Sequence, residues 1–489
     1  MSEVARLEPQ PLWRYFVDLG KIPRCSKHEE AAITWIAQVG ADHGCETERD
    51  RVGNLLIRVP ASKGCEDAPP VAIQSHADMV CEKNSDVDHD FTRDPIRMVV
   101  DSGDVRAEGT TLGADNGIGV AAALAFLDAP DAVHGPLELL FTIDEETGLT
   151  GAFGIEPGFL RARYMINLDS EEIGVFTVGC AGGRDARILW QAPRTTPPAG
   201  SVMRLTVQGL QGGHSGTDIH KNRGNSIKIL ARLLLAAADD LPAGALMLGA
   251  LSSGSKRNAI PREGHAEVFL AEGQAETARR AIEREAERVR AQLAETDPGF
   301  AMELKPAPEG TRFTGAAESL RLLRMIDALP QGVLAMSVAI PTLVETSNNV
   351  GVLEDLGEGY RIICATRSSL APALTAAQAQ LRAVALLGGA EIELHAGYPG
   401  WQPNLKSPLL ARAKAIYQRL FGKEGRVGAI HAGLECGLFT DKYPDLDIIS
   451  YGADITGAHS PDERVGIESV AKLWELTGAL LEDLTRAEA

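Results

Sequence analysis

Five short stretches place acids and histidines where apolar runs stop. His76-Ala77-Asp78 ends PVAIQS, which reads as a buried strand. Side chains alternate along a strand, so His76 and Asp78 are expected on one face. An imidazole beside a carboxylate suits a metal ligand with an orienting acid behind it. Asp144-Glu145-Glu146 follows LELLFTI. Adjacent acids repel one another, but a dication turns repulsion into attraction. One acid then ligates while its neighbour serves as general base. Gly113-Ala114-Asp115-Asn116-Gly117 precedes a small apolar run, Asn167-Leu168-Asp169-Ser170-Glu171-Glu172 ends RYMI, and Gly457-Ala458-His459-Ser460-Pro461-Asp462-Glu463 follows DIISYG. Singly, each has an ordinary reading as a surface pair, a solvated acid run or a carboxylate near a helix N-terminus. Together they put two histidines and three carboxylates at the ends of apolar strands, where an open α/β sheet binds ligands. That set suits two divalent ions bridged by a shared acid, zinc most naturally.

The elements that must hold these groups alternate. Helical patterns over residues 9–20 and 26–43 lead, the second with a Ser26/Glu29 capping box and Gly44 as its stop. Strand patterns follow in NLLIRV, PVAIQSHADMV, LELLFTIDEE and RYMINLDSEE, with the helix GIGVAAALAFL between the second and third. This order predicts an α/β fold, a central mixed sheet flanked by helices. Near Gly182 and Gly183 the character changes, and prolines punctuate a turn-rich stretch. Helix and strand patterns of the first kind return near residue 396. Residues 184–395 are therefore expected to form an inserted α+β domain, with 1–183 and 396–489 making one discontinuous domain. The insertion carries two strand–strand–helix–strand runs about 90 residues apart, KRNAIPREGHAEVFLAE to FAMELKP and TSNNVGVLEDLGEGYRIICAT to AEIELHA. A duplication and two ordinary units of similar order both account for them.

With 489 residues the chain has material for two to four domains, at about 150 residues each. Lys plus Arg is 48 and Asp plus Glu is 67, a formal charge of −19, which lacks the positive field that nucleic-acid or anionic-lipid binding needs. No apolar run reaches the roughly 18 residues of a spanning helix, and MSEVARLEPQ has no signal-like apolar core. Seven scattered cysteines without a C-x-x-C pair predict free thiols in a reducing, cytoplasmic setting.

The ordered set H-x-D, G-A-D-N-G, E-E, a following Asp and a late H-S-P-D-E resembles the di-zinc metallopeptidases that include aminoacylases, carboxypeptidases and carnosinases. The stretches HDFTRDPI, GTTLGADNGIG, GCAGG, LQGGHSG, RNAIPRE, VETSNNVG, YPGWQP, HAGLECGLF and TGAHSPDERV are most similar to the aminoacyl-histidine dipeptidases within them, over residues 8 to 480. Ala77 departs from the Leu that many members carry, between two functional positions. The resemblance implies that His76 and Asp169 hold one zinc, Glu146 and His459 the other, and Asp115 bridges them. Mn²⁺ or Co²⁺ are the expected substitutes. It implies that Asp78 orients His76, and that Glu145 takes a proton from the bridging water and returns it to the leaving amine. The insertion resembles the family's lid, where His214 of GGHSG would stabilise the carbonyl oxyanion. Asn258 and Arg367 would bind the substrate's α-carboxylate, and Glu435 its free amino end. The implied activity is hydrolysis of dipeptides, L-aminoacyl-L-histidine above all and carnosine among them. A broader aminoacylase or carboxypeptidase on the same site is the alternative. A homodimer through the lid is the implied partner, unless the duplicated insertion does both jobs within one chain.

Other chemistries find less support. GGHSGT has Thr217 where a nucleophile elbow needs Gly. GADNGIG fails G-x-G-x-x-G, and no phosphate-binding G-x-x-x-x-G-K-[ST] occurs. A non-catalytic relative would be expected to lack a ligand or the base, and all seven positions are filled.

Overall fold

The computed structural model describes residues 2–307 and 312–486. The chain forms two compact units, one of Met1–Gly179, Pro403–Ala429 and Leu434–Ala489, the other of Cys180–Gln402 and Ile430–Gly433. No sequence signal marks the four-residue return to the second unit.

The first unit is built on an eight-stranded mixed sheet. Its order is Glu46–Arg49, Leu55–Val59, Leu137–Thr142, Val71–His76, Tyr164–Asn167, Asp447–Ser450, Val175–Cys180 and Arg426–Ile430. Strands 137–142, 71–76, 164–167 and 447–450 are mutually parallel, with His76 level with Thr142, Gln74 with Asn167, and Asn167 with Ser450. Their side chains are almost all buried, which is why they read as continuous apolar runs rather than alternating ones. In-register parallel strands end together, so the segments after His76, Thr142, Asn167 and Ser450 leave from one edge. Those segments carry the acids and histidines.

Helix Ala114–Ala125 is buried along nearly its whole length. Its first turn is irregular at Asp115 and Asn116, and the peptide between them is cis. Small residues are required here. A Cβ on Gly119 would stand 2.1 Å from Asn116 Oδ1, and one on Gly117 2.7 Å from the Arg24 guanidinium.

Two expectations about the N-terminal region are corrected. The second helix runs Glu30–Asp42, so Ser26 lies a turn too early to cap it. Glu29 Oε1 instead accepts the N–H groups of Lys27 and Asp144, at 2.6 and 3.1 Å. Gly44, at φ 73°, does follow the helix end. The cysteines are also not all thiols. Cys25 and Cys81 are joined, with Cα atoms 5.6 Å apart, while the other five form no disulfide. A parallel bridge between Cys25 and Met79 brings these segments together, an encounter no local spacing could reveal.

The second unit holds a sheet in which Ala301–Pro306, Gly200–Gln208, Gly264–Ala271 and Leu246–Ser253 are followed by Val344–Asp355, Gly359–Ser368, Gly182–Gln191 and Glu391–Leu394. The two sets of four mirror one another across the Ser253–Leu353 pairing. Helices Ser226–Asp240 and Ala275–Gln292 belong to the first set, and Ala316–Ala328 and Ala371–Leu387 to the second. Each set thus runs strand, helix, strand, strand, helix, strand, which accounts for the repeat seen in the sequence. KRNAIP supplies only the two-residue strand Ala259–Ile260; Leu246–Ser253 is the true counterpart of Val344–Asp355. The repeat's apolar residues pack into one core between sheet and helices.

Candidate active site

Asp115 is the centre of the cluster in the first unit. Its Oδ1 lies 3.0 Å from His76 Nε2 and its Oδ2 3.2 Å from His459 Nε2. His76 Nε2 is also 3.2 Å from Asp169 Oδ1, and His459 Nε2 is 3.0 Å from Glu146 Oε2. The candidate ligand atoms give two triads around Asp115, His76–Asp115–Asp169 and Asp115–Glu146–His459, each with its atoms within 4.8 Å of one another; His76–Glu145–Glu146 and Glu29–Asp78–Asp144 meet the same limit without Asp115. Each triad around Asp115 offers one imidazole nitrogen and two carboxylate oxygens, a donor set that fits a divalent ion with positions left open. Glu146 Oε1 is buried without a hydrogen-bond partner, as a ligand oxygen would be.

The electrostatics agree with that fit. Hydrogen bonds to Asp115 and Glu146 push His459 up to about 11. Burial alone would depress His76, yet Asp169 and Asp115 outweigh it and hold its pKa well above the usual value. Burial pushes Asp169 up to about 6, whereas hydrogen bonds from both histidines overcome burial at Asp115 and hold it low. The acids pull protons onto the imidazoles, and the same field attracts a cation.

Glu145 and Glu146 follow Asp144, a residue at φ 49° that turns the chain sharply after strand 137–142. Glu145 reaches within 4.8 Å of ligand atoms of His76 and Glu146. Burial, above all, raises its carboxyl well beyond the ordinary range. Asp78 lies past its strand, which ends at His76, yet its Oδ1 still meets His76 Nδ1 at 3.3 Å. It also accepts the backbone N–H groups of Glu145 and Glu146, at 3.1 and 3.3 Å. One carboxylate thus sets both the imidazole and the acid pair, a second task that spacing could not show.

Three further residues went unassigned in the sequence. Asn116 Nδ2 donates to Leu168 O and to Asp169 Oδ1, both at 2.7 Å, and so aims Asp169. Glu463 and Arg24, both 2% exposed, hold the backbone around Asp115. Asn116 and Glu463 stood inside quoted motifs; Arg24 gave no signal. Glu435 is wholly buried, and its Oε2 accepts from Gln74 Nε2 and Thr142 Oγ1, each at 2.7 Å. Its Oε1 has no partner, and burial pushes the carboxyl up to about 8.

His214, Asn258 and Arg367 lie in the second unit. His214 pairs with Ala259 in a two-residue ladder, and Ser215 N donates to Asn258 O at 2.8 Å. Arg367 Nη1 donates to Tyr398 Oη at 2.9 Å. A Cβ on Gly216 would meet His431 O at 2.2 Å, His214 Cε1 at 3.1 Å and Arg367 Nε at 3.3 Å, so the His214 and Arg367 side chains and the His431 backbone converge there. Asn258 is exposed, whereas Arg367 is buried. His214 Nδ1 accepts the N–H groups of Gly216 and Thr217, at 3.3 and 3.1 Å. The proton of the neutral ring must therefore sit on Nε2. Burial first, then Arg367, lowers the ring's pKa from its usual value.

The sequence matches the description of peptidase family M20/M25/M40 over residues 72–483. The chain belongs to that family. It is 43% identical over 485 residues, 99% of each chain, to the cytosol non-specific dipeptidase of Escherichia coli strain K12. It superposes on the aminoacylhistidine dipeptidase of Vibrio alginolyticus with a TM-score of 0.91 at 41% identity, covering 99% of this chain and 98% of that one. The aminopeptidase PepT of Bacillus cereus, at 17% identity, a TM-score of 0.57 and 98% and 99% coverage, shares the fold. As an M20 peptidase the chain is a hydrolase of peptide bonds, on the mixed α/β fold expected of it. Among the described residues no helix is long and apolar enough to cross a membrane.

Proposed function

We propose that this M20 peptidase is a cytoplasmic dipeptidase that hydrolyses L-aminoacyl-L-histidine and related dipeptides, carnosine among them, with two Zn²⁺ per chain. The observation that carries the reading is Asp115, whose two oxygens face two different histidines at 3.0 and 3.2 Å. A bound ion pair would supply Lewis-acid charge stabilisation and make water a stronger acid. His76 and Asp169 would hold one ion, Glu146 and His459 the other, and Asp115 both.

The remaining steps belong to this chain's own side chains. Glu145 takes the proton of the attacking water and delivers it to the leaving amine. Asp78 keeps Glu145 in place through the backbone and keeps His76 Nε2 aimed through the ring. His214, neutral with Nε2–H free to donate, serves the carbonyl oxygen as it gains charge. Asn258 and the Arg367 guanidinium receive the α-carboxylate. The unpartnered Glu435 Oε1 suits the free ammonium, whose arrival would relieve a buried, elevated carboxyl. Residues 184–395 act as the lid. The lid either pairs in a homodimer or, since the mirrored halves of the second unit already join edge to edge within one chain, does both jobs alone.

A second reading has support in the Escherichia coli relative's description as non-specific: a broader dipeptidase on the same site. A panel of Xaa-His, β-alanyl-His, other dipeptides, tetrapeptides and N-acetylated amino acids separates the two. Xaa-His dipeptides are expected to give the highest kcat/KM, and tetrapeptides little turnover. Equal rates across unrelated dipeptides would establish the broader reading. Preference for N-acetylated amino acids would overturn both.

A further inference from the structure

Four consecutive backbone N–H groups converge on one buried carboxylate beside the Asp115 cluster. Glu463 Oε2 accepts from Leu112 and Gly113, at 2.7 and 2.9 Å, and Oε1 accepts from Ala114 and Asp115, at 2.7 and 3.2 Å. Gly113, at φ 69°, curls the chain so that these donors point inward. Such a concave run of N–H groups is an anion site, and here the protein fills it with its own side chain. A carboxylate offers two acceptor oxygens to these four donors, where an amide would offer one.

The two triads differ in what steadies them. His76 is 1% exposed, at the end of a central strand, and Asp169 is held by Asn116. Arg24 further clamps that side, donating to Ala77 O at 3.1 Å, Asp78 O at 2.8 Å and Gly113 O at 2.5 Å. His459 sits instead in the loop of the hairpin Ile455–Thr456/Arg464–Gly466, whose second strand pairs with Asp104–Ala107. Its side chain is 51% exposed and its backbone stands at φ 62° in a turn. Glu463 follows four residues later, and its N–H donates to Ser460 O at 3.1 Å. Its carboxylate adds a direct tie from the His459 turn to the backbone of Asp115 itself, across about 350 residues of sequence.

We infer that Glu463 is a positioning residue that fastens the His459 turn to the Asp115 loop and so sets the ion position made by Asp115, Glu146 and His459. The inference rests on the dinuclear reading above. It predicts selectivity: losing Glu463 loosens one ion position and spares the one made by His76, Asp115 and Asp169.

The test is zinc titration of the metal-depleted full chain against a chelating dye, with thermal unfolding alongside. Glu463→Gln keeps the shape but offers a single acceptor oxygen and sets an NH₂ group against two N–H donors. Wild type should bind two Zn²⁺. In Glu463→Gln one of the two should weaken about 10–100-fold, as for loss of an outer support of a ligand, and the other by less than about threefold. Glu138→Gln is the control for a purely structural loss. Glu138 is 3% exposed and accepts the N–H groups of Arg161 and Ala162, at 2.8 and 2.9 Å, at the start of strand 137–142, the end away from the acids and histidines. It should lower Tm and leave both zinc affinities unchanged. If Glu463→Gln does not fold, Glu463→Asp, which keeps the charge but shortens the reach, is read the same way. Unchanged zinc affinities, equal weakening of both, or the same zinc loss in Glu138→Gln would overturn the inference while leaving the dinuclear reading standing. Fewer than two zinc ions in wild type would overturn both.

Discussion

Replacing Glu145 by Gln removes one property and little else. The side chain keeps its size, and the backbone N–H groups of residues 145 and 146 keep their bonds to Asp78 at 3.1 and 3.3 Å. Neither triad around Asp115 includes Glu145, so His76, Asp115, Glu146, Asp169 and His459 keep their donor atoms. The amide cannot accept the proton of an attacking water. General acid–base catalysis contributes roughly 10²–10⁴ in rate. At about 1.36 kcal/mol per decade this is a loss of roughly 2.7–5.4 kcal/mol of transition-state stabilisation. It should appear in kcat, with KM changed by less than about threefold, because the lost interaction belongs to the transition state. The assay is steady-state hydrolysis of an Xaa-His dipeptide by zinc-loaded protein, with bound zinc measured on the same samples. Zinc content should match wild type. A variant retaining more than about a tenth of wild-type kcat would show that Glu145 is not the base. A variant that loses zinc would show that it is a ligand instead.

Asp115→Ala removes the only residue common to both triads, so bound zinc should fall below two equivalents and turnover should vanish; two tightly held ions would exclude a bridge. His214→Ala should keep both ions and its Tm within a few degrees, and lower kcat by about 10²–10³ with a smaller change in KM; unchanged kcat would remove His214 from the mechanism. The His43 ring faces two acceptors, Val39 O at 2.8 Å from Nδ1 and Asp128 Oδ1 at 3.0 Å from Nε2, so both nitrogens donate when the ring is protonated, and these partners, Val39 first, raise its pKa. A raised histidine pKa contributes stability below the unfolded value near 6.5, and that contribution is lost as pH rises through the folded pKa. The Tm difference between wild type and His43→Gln should therefore be larger at pH 6 than at pH 9. The pair is largely solvated, so the effect should stay under about 1 kcal/mol; a difference that grows with pH would contradict the assignment.

The groups that meet in the first unit were legible because metal chemistry restricts residue type and parallel strands end at a common edge. His76, the Glu145–Glu146 pair, Asp169 and His459 each follow an apolar run, and Asp115 opens a helix too small to be anything but buried. What holds them was not legible. Arg24 reaches Gly113 across 89 positions and Glu463 reaches Leu112 across 351, and nothing near either residue announces the partner. The same blindness explains Cys25 with Cys81. At Glu29 a local rule misled: a capping box was expected, but a tertiary donor, Asp144 N–H, takes the carboxylate. The repeat in the second unit was visible in its order of elements, although one of its strands was sought ten residues too late, because a bridging strand and its flanking loop imitate the pattern.

Zinc titration of metal-depleted protein, with L-alanyl-L-histidine hydrolysis followed at each addition, tests dinuclear dipeptide hydrolysis most directly. Activity should be absent without metal and rise to a plateau at two Zn²⁺ per chain. Full activity in the metal-depleted protein, a plateau at one Zn²⁺ per chain, or two bound Zn²⁺ with no dipeptide cleaved would contradict it.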